Sequence, residues 1–148
     1  MSENIEGVFV TPLSTVKTDG GDVLHAMKAS SQGFIGFGEA YFSTIDSSAV
    51  KAWKRHHKMT LNLVVPVGSI KFVIFDDRMD SKSYNTFQEI VLSRNENYCR
   101  LTVPPMVWMG FQGIDEKSSV TLNISNIEHF KDTVDRKEIS QIEFDWGR

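Results

Sequence analysis

Along most of the chain, apolar positions come in short alternating or continuous runs, and each run ends at a cluster of turn-forming residues. That is the pattern of strands joined by tight turns, and it predicts an all-β sandwich or barrel. The runs place strands at 7–12, 23–28, 35–44, 50–58, 61–65, 69–76, 87–92, 98–103, 107–112 and 120–124. Asp19-Gly20-Gly21-Asp22, Pro66-Val67-Gly68, Asp80-Ser81-Lys82-Ser83 and Asp115-Glu116-Lys117 supply turns between them. A helical period shows, weakly, only over 127–139, read as part of a short C-terminal appendage. The run 69–76 sets Ile70, Phe72 and Ile74 on one face and Lys71, Val73 and Phe75 on the other. Both faces are largely apolar, so this strand must be covered twice, by a second sheet or by a dimer partner.

Composition narrows the picture further. At 148 residues the chain fits one domain, spanning 1–148, with a sizeable core. Its single cysteine, Cys99, leaves no internal disulfide and reads as a buried spectator thiol. The opening MSENIEG is unlike a signal peptide, and no apolar stretch reaches bilayer length, so no membrane association and a cytoplasmic location are expected. With 16 Lys and Arg against 19 Asp and Glu, a net charge of -3 gives no general attraction to nucleic acid. An anionic ligand would have to be met by a local cluster of cations.

The stretch AVKAWKRHHKM is where such chemistry concentrates. On an extended backbone Lys54, His56 and Lys58 share one face while Trp53, Arg55 and His57 share the other. Only one of the two histidines can therefore point into a barrel. An imidazole flanked by ammonium groups in a closed cavity sits largely neutral, which suits a general base. The same residues would equally make a charged strand end anchored by Trp53. His25 and His129 are isolated and read as surface or satisfied-core histidines. Adjacent His56 and His57 diverge on a strand, no third ligand follows at metal spacing, and neither a metal nor a cofactor is expected. No nucleophile elbow, phosphate loop or dinucleotide fingerprint is present. GFIGFGEAYF alternates glycine with aromatics and reads as close backbone packing in a strand.

Taken together, GFIGFGEAYFSTI, AWKRHHKM, VPVGSIKFVIFDDRMDSKSYNTF, EIVLSRNENYCRLTVPPMVWMGF and the closing IEFDW resemble the dTDP-4-dehydrorhamnose 3,5-epimerase family, in that family's order and over nearly the whole domain. The resemblance implies a cupin-type jelly roll of two packed antiparallel sheets. It also implies a homodimer, no metal, and proton transfer at carbons beside the 4-keto group of a nucleotide-linked deoxysugar. Carried over by position, it puts His56 at the catalytic base and makes Asp145, in EFDW, the best match for the carboxylate that orients it. Glu39, in FGEAYF, matches a segment that contacts the nucleotide end of the ligand.

The departures are as specific as the matches. Trp53 stands for the family's motif arginine, Trp108-Met109 for its alanine-histidine pair, and its lysine falls near Leu61-Asn62. The tyrosine that serves as general acid aligns with Leu122 or Asn123. Lys54 is left to stabilise an enolate beside His56, with reprotonation from water, Tyr41 or His56 itself. A diphosphate would draw on Arg55, Lys58, Lys71, Arg78 or Arg100, of which Lys58 is taken first and Arg78 is assigned to Asp76 or Asp77; Trp53, Trp108 and Asn62 complete the expected ligand contacts. The expected activity is epimerisation of a nucleotide-linked 4-keto-6-deoxyhexose at one carbon or two. A ketoisomerase of a similar sugar nucleotide, or a sugar-nucleotide-binding cupin without catalysis, is the alternative.

Overall fold

The doubly apolar run at 69–76 forms a strand with the expected bounds and sits inside the molecule, covered on both faces. The computed structural model describes residues 4–148, and the fold is all-β, as the spacing of runs and turns predicts. In chain order the strands are β1 (Phe9–Pro12), β2 (Thr15–Thr18), β3 (Gly21–Leu24), β4 (Glu39–Ile45), β5 (Val50–His56) and β6 (Leu61–Val67). They continue as β7 (Ser69–Asp76), β8 (Thr86–Ser93), β9 (Cys99–Val103), β10 (Trp108–Gly113), β11 (Ser119–Ser125) and β12 (Val134–Arg136). One antiparallel sheet has the order β1-β9-β6-β11-β4; a second runs β12-β5-β10-β7-β8; β2 and β3 form a separate hairpin.

Period-two alternation on both sheets builds the core between them. Leu61, Leu63 and Val65 of β6 and Leu101 and Val103 of β9 face Ile70, Phe72 and Ile74 of β7 and Ile90 and Leu92 of β8. The other side of β7 is not covered by a dimer partner. It is covered by the chain's own C-terminal tail: Ile142, Phe144 and Trp146 fold over Trp53, Val73 and Trp108 as a second apolar cluster. Lys71, the one charged residue on that face of β7, lays its ammonium 5.6 Å from the ring centroids of both Phe144 and Trp146. Gly110 of β10 lets the tail approach, since a Cβ there would lie 2.6 Å from Ala52 Cβ and 3.2 Å from the Trp146 ring.

The outer face of the first sheet is partly covered by the loop before β4. Buried Arg100 donates to the carbonyls of Ala26 at 3.1 Å and Gln32 at 2.6 Å, while Asn62 Nδ2 donates to Gly33 O at 3.2 Å. The glycine-aromatic segment is therefore a packed loop, and β4 starts only at Glu39 rather than at residue 35. Gly33, at φ +90°, closes this contact, because a Cβ would sit 2.6 Å from Thr102 Oγ1.

Two further expectations about the elements change. Residues 15–18 pair with 21–24 around the Asp19–Gly20 turn, so the expected strand at 23–28 ends at Leu24. The weak helical period over 127–139 becomes two single 3₁₀ turns, His129–Lys131 and Ile139–Gln141, flanking β12, because pairing with the edge of β5 competes successfully with a helix. Among the described residues no helix is long and apolar enough to cross a membrane. Trp146, 6% exposed, is the keystone of the tail cluster. Trp146→Ala is expected to lower the unfolding free energy by about 3–5 kcal/mol, measured by denaturant titration. A change below about 1 kcal/mol would show that the tail adds little to the sheet beneath it.

Candidate active site

Between the two sheets, at the end where β5 meets the C-terminal segment, lies a cavity of ≈ 560 Å³. Tyr41 and Asn123 border it from the first sheet; Lys51, Lys54, His56 and Met109 from the second; His129, Arg136 and Lys137 from the segment that follows β11. Apolar Met59, Leu61, Val103 and Val107 form part of its wall. Strand alternation puts Lys54 and His56 on this side of β5 while Arg55 and His57 turn outward to the Asp135 carboxylate, at 2.7 Å from each. A register shift between Met109 and Phe111 of β10 brings Lys51 to the cavity side as well, opposite Phe111.

His56 is held by a carboxylate, and it is not that of Asp145. Its Nδ1 donates to Asp132 Oδ2 at 3.1 Å, whereas Asp145 accepts from its own neighbour Gly147 N at 2.8 Å. Asp132 lies just past the first 3₁₀ turn, and its side chain is completely buried. Burial alone would raise its pKa, but bonds from the backbone N–H groups of Lys58 and Thr133, and from His56, outweigh that and lower it. The anion fixes the proton of neutral His56 on Nδ1, which leaves Nε2 as the basic nitrogen. Burial pushes the His56 pKa down more than the Asp132 charge lifts it. Lys54 shifts down too, first by burial, then by repulsion from Arg136 and Lys51.

Other expected contacts fall elsewhere for physical reasons. Lys58 follows the end of β5, where alternation no longer applies, and its exposed side chain does not line the cavity. Trp108 faces the tail: its Nε1 donates to Asp77 Oδ2 at 2.9 Å and the Arg55 guanidinium stacks on it at 4.6 Å. Trp53 borders the cavity, but its indole is 1% exposed and packs against Trp146 and Phe144, a wall rather than an open stacking face. Asn62 points to the outer face of β6, where its Oδ1 accepts from Arg100 Nε and Thr102 Oγ1. Arg55, Lys71 and Arg78 are engaged by Asp135 and Asp77, by Glu89, and by Asp76. The cations that border the cavity without an ion pair among the described residues are Lys51, Lys54, Arg136 and Lys137, of which Lys51 donates to Thr44 O at 2.8 Å and the Lys137 ammonium lies 4.8 Å from the Trp108 ring. Cys99 is buried beside Asn97, and burial raises its pKa.

Glu39 does not reach the cavity directly. One of its oxygens, Oε1, accepts from both the backbone N–H and the ring Nδ1 of His129. His129, isolated in sequence, thus becomes a cavity residue whose ring lies 5.7 Å from that of His56 and 5.3 Å from that of Tyr41, centroid to centroid. His129 and Asp132 were missed because both sit in the stretch with a helical period, and nothing in the local pattern shows that β12 folds it across the end of β5. Among the described residues no three His, Cys, Asp or Glu side chains converge as a metal site.

A crystal structure of a dTDP sugar isomerase from Desulfovibrio desulfuricans G20 superposes with a TM-score of 0.92 at 36% identity, covering 96% of this chain and 92% of that one. The chain belongs to the dTDP-4-dehydrorhamnose 3,5-epimerase family. Within that fold, the dTDP-4-dehydrorhamnose 3,5-epimerase of Elizabethkingia anophelis NUHP1 matches with a TM-score of 0.79 at 14% identity, over 100% of this chain and 85% of that one. A "probable low-salt glycan biosynthesis epimerase" of Haloferax volcanii is 30% identical over 95 residues, which are 63% of this chain and 60% of the relative's length. No family profile matches the sequence. The jelly-roll cupin expectation holds, and of the two positions aligned with the family's acid tyrosine, Asn123 faces the cavity.

The His56–Asp132 pair makes a prediction independent of any substrate. An NMR titration of the His56 ring should show a midpoint below the ordinary value of about 6.5, and Asp132→Asn should move it lower still, because the carboxylate supports the charged form. With a depressed folded-state pKa, the unfolded chain takes up this proton first. His56 therefore contributes stability at neutral pH that is lost as pH falls through the window below 6.5. A midpoint above 6.5 in the wild type would contradict the arrangement.

Proposed function

We propose that the protein epimerises a nucleotide-linked 4-keto-6-deoxyhexose, with His56 as the base that removes a proton from a carbon next to the ketone. The observation that carries this reading is a neutral imidazole oriented by a buried carboxylate and facing a cavity between sheets. A ketone lowers the pKa of its neighbouring C–H only if the resulting enolate is stabilised. Lys54 shares the wall with His56 and supplies a positive charge in a partly desolvated site, where it acts more strongly than in water. Lys51, Arg136 and Lys137 collect further cations at the same cavity, which meets the need of a diphosphate despite the acidic net charge. The likeness to a dTDP sugar isomerase supports a deoxythymidine-linked substrate, with no cofactor in the proton-transfer scheme.

That same likeness favours a second reading, ketoisomerisation. If His56 returned the proton to a neighbouring atom on the face from which it came, the keto group would move and no centre would invert. Ile35, Phe37 and Phe42, at 62%, 66% and 69% exposed, are uncovered apolar side chains in edge strand β4 and the loop before it. They support pairing as a homodimer, and a solution mass of one chain at micromolar concentration would contradict it.

Incubation with a dTDP-4-keto-6-deoxyhexose in deuterium oxide tests the function. Deuterium is expected at C3, C5 or both, and His56→Ala should slow its entry by about 10²- to 10⁴-fold without loss of dTDP binding. Lys54→Met should slow it by roughly 10²-fold. Inversion of a centre identifies the epimerase, and a displaced carbonyl identifies the ketoisomerase. Binding with no exchange at any carbon would leave only a sugar-nucleotide-binding cupin.

A further inference from the structure

An inversion needs a second proton-transfer group across the ring from the base, and the family's tyrosine falls at Leu122 or Asn123 here, of which Asn123 borders the cavity. Asn123 of β11 is paired directly with Tyr41 of β4, so a phenol stands one strand away from one of the two positions where the resemblance expects it. Tyr41 belongs to the first sheet and His56 to the second, and both border the cavity. We propose that Tyr41 is the general acid of this protein, positioned by Glu39 and His129 on the wall opposite His56. This assignment deepens the epimerase reading and rests on it.

The supporting cluster has a built geometry. A single Glu39 oxygen receives two N–H groups of His129, one from the backbone at 2.5 Å and one from ring Nδ1, which fixes both the position and the tautomer of the ring. His129 Nε2 then carries the lone pair, and it lies 3.3 Å from the Tyr41 hydroxyl. The two bonds from His129 hold Glu39 ionised by lowering its pKa. Burial, and then the Glu39 charge, raise the pKa of Tyr41, so the phenol stays protonated at neutral pH, as an acid must.

The proposed step balances. His56 Nε2 takes the proton as the C–H electron pair passes into the enolate. Tyr41 turns its hydroxyl to the enolate carbon and releases its proton there; the enolate π pair forms the new C–H bond on the opposite face. His56 is left as imidazolium and Tyr41 as phenolate, and water moves one proton from the first to the second. Glu39 lies off the cavity and His129 borders it; in this step both act by placing the phenol oxygen.

Deuterium entry and stereochemical inversion, followed on the same dTDP-4-keto-6-deoxyhexose, separate the two groups. In Tyr41→Phe, inversion should fall by at least about 100-fold, while exchange with retention through His56 continues within a few-fold of wild type. Glu39→Gln should raise the ratio of exchange to inversion in the same direction but less, with KM unchanged; a purely structural role would lower both rates together. Melting temperature and dTDP binding verify that both variants are folded. Inversion at the wild-type rate in Tyr41→Phe, or equal loss of exchange and inversion, would overturn the assignment while leaving His56 as base. Absence of exchange in the wild type would instead remove the epimerase reading itself, and Tyr41's role with it.

Discussion

One buried carboxylate ties the working end of the molecule together. Asp132 gathers the N–H groups of Lys58, Met59 and Thr133 and the Nδ1 proton of His56, at 2.8 to 3.3 Å. Those bonds clamp the segment after β11 onto the end of β5, so that β12 can pair with its edge. The same clamp brings His129 beside His56, although 73 positions separate them in the chain. An unpaired ion in this place would cost several kcal/mol, and four converging donors offset that. Structure and chemistry thus share one group: the anion that closes the barrel end also sets the tautomer of the histidine in the cavity.

The cavity exists because apolar surface is consumed elsewhere. On the second sheet the tail cluster of Ile142, Phe144 and Trp146 covers the outside, so β7 can be apolar on both faces without a partner subunit. On the first sheet the outward residues Asn62, Arg100 and Thr102 bond one another and the loop before β4. With both outer faces anchored in this way, the space between the sheets narrows to packed core along most of its length and opens only near β5 and β4. Charge is sorted by the same logic. Outward Arg55 of β5 meets Asp77 and Asp135 and outward Lys71 of β7 meets Glu89, while among the described residues no ion pair forms at Lys51, Lys54, Arg136 or Lys137.

How much of this could be read from the sequence follows the range of the interactions. β7 is legible to the residue because its period-two pattern is local, and most other strands fall within a few positions for the same reason. The outward fate of Trp108 and Asn62 was not, since a strand whose two faces are both buried gives no sign of which one meets ligand. Position in the motif AWKRHHKM led to His56, and alternation separated it correctly from His57. Its partner could not be found that way. Asp132 and Asp145 are both carboxylates in an irregular tail, and only the pairing of β12 with β5 decides between them. Tyr41 and His129 are likewise joined by tertiary contact, through Glu39, and by no local spacing.

The proposed proton transfer requires the cavity to hold a hexose between two opposed walls, His56 on one and Tyr41 on the other. A crystal structure of the protein with a dTDP-hexose that lacks the keto group tests it most directly. C3 or C5 of the sugar is expected within about 3.5 Å of His56 Nε2, with the Tyr41 hydroxyl on the other side of the ring and the diphosphate among Lys51, Arg136 and Lys137. A sugar bound outside this cavity, or one with both side chains on the same face of its ring, would contradict it.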